Sequence, residues 1–144
     1  MRGKHIAITG PTAGIGRYSA LELASRGAHL TLFCRNPEKA LALEQDIVGV
    51  SGEQPTVIAM DMADLSSVRR AAEEFMASGR PLDVLLNNAG VVNTTRKVTV
   101  DGFEETLAVN HFAPFLLTGL LLPAVQQAPK SRIVNVASHA HTFV

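Results

Sequence analysis

Cysteine is nearly absent: Cys34 is the only one, so no internal disulfide can form and the fold must rest on packing and hydrogen bonding. Net charge is also missing. With 13 basic and 13 acidic side chains there is no overall field to draw in nucleic acid or an anionic membrane surface. The start, Met1-Arg2-Gly3-Lys4-His5, runs directly into a strand-like pattern with no secretory apolar segment, which together with the lone thiol predicts a cytoplasmic, reducing setting. Long apolar runs are scarce too. The most apolar stretch, residues 112–125, contains Pro114 and Pro123 and is shorter than the roughly 20 residues that span a bilayer, so it predicts a buried helix and no membrane span. No repeat, low-complexity tract or linker divides the 144 residues. At 47% apolar they suffice for a single domain over residues 1–144.

What is present is an alternation of β-rich and helical periods. Ile6 and Ile8 mark a first strand over 5–9, and residues 14–26 follow with Ile15, Ala20, Leu23 and Ala24 at helical spacing, stopped by Gly27. A second strand over 29–34 leads to a helix over 37–48 opened by Pro37, and a third strand is predicted over 56–60. Val68, Ala71, Ala72, Phe75 and Met76 then form one apolar stripe, on a helix that Ser66 or Ser67 is expected to cap. Residues 82–86 and 132–137 read as continuous apolar strands with both faces covered, separated by a long helix over about 101–127. Five strands joined by helices imply right-handed crossovers and a doubly wound α/β fold of Rossmann type, parallel order 3-2-1-4-5.

The chemistry concentrates where the first strand meets the first helix. Gly10, Gly14 and Gly16, with Thr12, Ala13 and Ile15 between them, allow a tight turn and let backbone approach a pyrophosphate closely, while the helix start offers unpaired N–H groups. The spacing, Thr9-Gly10 then three residues then Gly14-x-Gly16, differs from the common GxGxxG form and resembles the classical short-chain dehydrogenases/reductases. Asn87-Asn88-Ala89-Gly90 resembles that family's NNAG signature. Residues 24–27, 101–104 and 132–136 look most like its retinol-dehydrogenase-like branch. The resemblance implies that Asn88, Ala89 and Gly90 stand beside the adenosine half of a dinucleotide, with Asp61 pairing the adenine amino group and Met62 adjoining it. It also implies that Ser138 holds a substrate oxygen, and that Asn110 distorts its helix and holds a water in a proton relay.

Cofactor preference is read at the end of the second strand, where an NAD-binding member would carry a carboxylate for the ribose hydroxyls. Cys34 and Arg35 stand there instead, which favours NADP(H): repulsion of a 2′-phosphate is removed and a guanidinium is supplied. The expected function is hydride transfer between this cofactor and a small-molecule carbonyl or a primary or secondary alcohol. The family's Tyr-x-x-x-Lys pair is absent, because the sole tyrosine, Tyr18, is followed four positions later by Glu22. The fold is therefore expected to be truncated before its last strands and this chain alone to be inactive. The reading frame is expected to continue to a Tyr-x-x-x-Lys helix; the alternative is an inactive dinucleotide-binding or interaction module. His139 and His141 lack a second cluster of Cys or carboxylate ligands, so no metal is expected, and His111 is expected to be a packed helix residue. In the family, the apolar helix commonly forms a subunit interface, which implies a homo-oligomer.

Overall fold

The β-rich runs become the strands of one parallel sheet. A computed structural model describes residues 1–139. Its strands β1 (His5–Thr9), β2 (His29–Cys34), β3 (Thr56–Ala59), β4 (Val84–Asn87) and β5 (Arg132–Asn135) lie in the order β3-β2-β1-β4-β5. This is the doubly wound arrangement, with the order reversing between β1 and β4. Side chains alternate across the pleat. Ile6, Ile8, Leu30 and Leu32 face helices α1 (Gly14–Ser25) and α2 (Pro37–Ser51), whereas Ala7, Phe33, Ile58 and Leu85 face α3 (Leu65–Ala77) and α5 (Ala113–Gln127).

Several local features depart from the sequence expectations. On α1 the buried face consists of small residues, Gly16, Ala20 and Ala24, which let the helix lie close to the sheet; Ile15 is 70% exposed. Asp64, not a serine, caps α3, accepting from the Ser66 and Ser67 amides. A carboxylate does this well at the positive end of a helix. Residues 101–104 are not helical. They close an antiparallel bridge between Val98 and Glu104, and the helix starts as the single turn α4 (Glu105–Leu107), capped by Glu104.

Ala108–Phe112 then forms a π-helical turn before α5, which runs on through Pro123. Glu105–Gln127 is the one helix among the described residues long and apolar enough to cross a membrane. One of its faces is packed: Ala113, Leu117, Leu121, Ala124 and Val125 are buried against α3 and β4, while Phe115 is exposed. β5 ends at Asn135 and all four of its residues are exposed, so the predicted two-sided burial is not found. Its one strand neighbour is β4, and no described strand lies beyond it.

Candidate functional site

At the carboxyl ends of the strands, over the point where the order reverses, lies a cleft of about 690 Å³. Crevices form there in doubly wound sheets because the loops on either side depart in opposite directions. All twelve residues read from the sequence as cofactor contacts line it: Gly10, Thr12, Ala13, Gly14, Ile15, Gly16, Arg35, Asp61, Met62, Asn88, Ala89 and Gly90.

The turns that line the cleft are joined by a hydroxyl to which the sequence reading gave no role. Thr9 is fully buried, and its Oγ1 accepts from both the Asn88 and Ala89 amides at 3.0 Å. Asn88 Nδ2 donates back to the carbonyls of Thr9 and Gly10 at 3.0 and 3.1 Å, so the turns after β1 and β4 are laced together. The glycines have distinct reasons. A Cβ on Gly16 would collide with the Gly10 carbonyl oxygen and with Asn88 Nδ2, so this position serves close packing of helix on loop. Gly14, at φ +50°, would meet nothing within 4 Å and borders open space.

Just before it, Ala13 is the N-cap of α1 and offers no side-chain acceptor, whereas α2, α3 and α4 are capped by Asn36, Asp64 and Glu104. The bare helix start lies along the cleft wall. Its unpaired N–H groups and positive dipole end suit an anion.

At the end of β2, Arg35 lines the cleft with Asn36 and Lys39, a second cation in the first turn of α2. Arg35 and Lys39 form no ion pair among the described residues. Lys39 was missed, although its place four residues after Arg35, in the first turn of the helix that Pro37 opens, is a signal that it could reach the same end. Burial pushes the Cys34 thiol up to about 12, with Glu44 adding to the shift, so this group contributes no charge to the cleft. Asp61 sits in a tight turn in which its Oδ1 accepts from the Ala63 amide at 2.9 Å and Ser67 Oγ accepts from its own amide at 3.0 Å.

Asn110 lies within the π-turn. Its Oδ1 accepts from the Val91 amide and its Nδ2 donates to the Val91 carbonyl, both at 2.8 Å, so the side chain clamps the segment after Gly90. Ser138 follows β5, three residues past Asn135, whose Oδ1 accepts from Nδ2 of the buried Asn87 at 2.8 Å; the same Nδ2 donates to Thr118 Oγ1 at 3.0 Å. Neither Asn110 nor Ser138 lines the cleft as formed here, whereas Val91, Glu105, Val109 and Val136 do. His111 is exposed, its ring 6.2 Å from that of Phe115, instead of packed in the core. His141 lies outside the described residues.

A bare helix start, a glycine-built turn and an adjacent cationic pocket at the switch point of a doubly wound sheet define a dinucleotide-binding Rossmann-type protein. The short chain dehydrogenase family model matches residues 4–143, and the chain belongs to that family of oxidoreductases. Human retinol dehydrogenase 11 is 44% identical over 140 residues, which cover 96% of this chain and 44% of that protein. Human dehydrogenase/reductase SDR family member 13 is 44% identical over 142 residues, 98% of this chain and 37% of that one. The chain thus spans less than half the length of these curated relatives. Among solved structures, a metagenomic short-chain oxidoreductase in complex with NADP superposes with a TM-score of 0.82 at 33% identity, covering 95% of this chain and 63% of that one.

Proposed function

We propose that this chain is the cofactor-binding part of an NADP(H)-dependent oxidoreductase that interconverts a small-molecule carbonyl and a primary or secondary alcohol. The observation that carries the reading is the uncapped start of α1, opening on a cleft whose β2 end bears Arg35 and no carboxylate. When bound, the dinucleotide supplies or accepts the hydride. Gly10, Thr12, Ala13, Gly14, Ile15 and Gly16 present backbone to its pyrophosphate, Arg35 takes the 2′-phosphate, Asp61 and Met62 take the adenine, and Asn88, Ala89 and Gly90 flank the adenosine half. In this reading Ser138 holds the substrate oxygen and Asn110 orders the proton relay. Similarity to a relative complexed with NADP supports the choice of cofactor.

Neither Ser138 nor Asn110 can give a proton to a developing alkoxide as a tuned tyrosine does. The single tyrosine, Tyr18, is 75% exposed on α1. We therefore infer that these 144 residues bind cofactor without turning it over. Calorimetry should show NADPH binding more tightly than NADH, and Arg35→Asp should reverse the order. Unchanged relative affinities in that variant would remove Arg35 from the account, and steady NADPH oxidation with a carbonyl substrate, lost in Ser138→Ala, would reveal an acid not recognised here.

A further inference from the structure

The start of α3 divides its unpaired amides between two carboxylates. Asp64 Oδ1 accepts from the Ser66 and Ser67 amides at 2.8 and 3.2 Å, as a local cap does. The Leu65 amide instead donates to Asp101 Oδ2 at 2.9 Å, a residue 36 positions further along the chain. Asp101 stands at the tip of the narrow hairpin 98–104, whose turn is closed by the Thr99 amide on the Phe103 carbonyl at 2.8 Å and by Gly102 at φ +83°. A carboxylate here both satisfies an orphan donor and complements the helix dipole.

The same first turn of α3 holds the cleft wall. Ser67 Oγ accepts from the Asp61 amide, and the Asp64 amide donates to the Asp61 carbonyl at 3.2 Å. The placement of Asp61 and Met62 therefore follows the placement of α3's start, and that start is pinned from outside by Asp101. Asp101 itself does not line the cleft.

We propose that Asp101 is a positioning residue for the adenine end of the cofactor cleft, acting through Leu65 on the turn that carries Asp61 and Met62. This rests on the reading of the cleft as a dinucleotide site. It also joins that turn to the hairpin leading into Glu105, another lining residue.

The test compares the wild-type chain with Asp101→Ala and Asp101→Asn, measuring affinity for NADPH, for 2′,5′-ADP and for reduced nicotinamide mononucleotide, together with amide hydrogen exchange across residues 61–67. Asp101→Ala should weaken NADPH and 2′,5′-ADP by about three- to tenfold, the size of a lost cap, and leave the mononucleotide unchanged. Exchange should quicken within 61–67. Asp101→Asn keeps an acceptor oxygen and should recover most of the affinity.

Equal affinities in wild type and Asp101→Ala would overturn the proposal, as would a parallel loss for all three ligands with exchange quickened throughout the chain. If the wild-type chain binds no dinucleotide, the cleft reading itself fails and the adenine role falls with it. The exchange data then decide alone whether Asp101 orders the turn.

Discussion

Buried polar side chains govern the behaviour of single residues in this molecule. Thr9 Oγ1 is the acceptor for two amides, so Thr9→Val keeps the shape and leaves two N–H groups without their acceptor. Each orphan costs about 1–3 kcal/mol. Urea unfolding should show a loss in that range or above, and NADPH affinity should fall with it because the turns after β1 and β4 are no longer laced; retained stability would mean that water reaches those amides.

His5 tests a different force. The Pro81 carbonyl can only accept, so His5 Nδ1 carries the hydrogen, and Nε2 accepts from the Thr31 hydroxyl at 2.8 Å. Burial pushes the His5 imidazole below its ordinary 6.5; the Pro81 bond opposes this, Arg80 and His29 add to it, and Asp83 counters. Because the folded pKa lies below the unfolded one, the stability from neutral His5 is complete above about pH 6.5 and is lost as pH falls toward the folded value. The urea midpoint should drop between pH 7 and 5, and drop less in His5→Gln. An equal drop in both would place the proton uptake elsewhere. The carboxylates of Asp64 and Glu104, held low mainly by hydrogen bonds from their capped turns, act only in a more acid window.

At the scale of elements, α5 shows how one apolar run serves two surroundings. Leu117 and Leu121 are fully buried against α3 and the sheet, while Phe115 on the other side is 75% exposed. Leu121→Ala should cost roughly 2–5 kcal/mol, measured by urea unfolding, and Phe115→Ala far less. Similar costs for both would mean that the exposed face is covered in solution. The element pattern was legible in the sequence because the 3.6- and 2-residue periods are local signals, and α3 kept its predicted stripe. Three details were not. The cap of α3, the hairpin before α4 and the exposure of Ile15 all depend on which neighbour comes within reach, and no periodicity encodes that. The π-turn at Asn110 is one position of extra winding, set where the side chain grips Val91.

For the molecule as a whole, the unequal covering of the sheet decides its surface. β4 presents Val84 and Leu86 on the α1 side, and beside it Val134 of β5, paired with Leu86, and Val136 just past the strand are exposed. An apolar strand with unpaired backbone groups invites pairing. Sedimentation of the purified chain should show association that grows with concentration, and Val134→Lys should reduce it. A strictly monomeric wild type would show that the edge is shielded in some other way.

The residues by themselves determined the α/β alternation, the parallel order, the glycine turn and the place of Arg35, because each depends on spacing within a short window or on a general rule of chain crossing. All twelve expected cofactor contacts fall on one cleft for that reason: they occupy the carboxyl ends of successive strands, and the topology gathers those ends together. Tertiary structure alone decided that Thr9 would hold the turn after β4 and that Asp101 would take an amide at the start of a helix 36 positions away. Each of these is a meeting of groups distant along the chain, and such meetings arise only when the packed layers fix where every side chain ends.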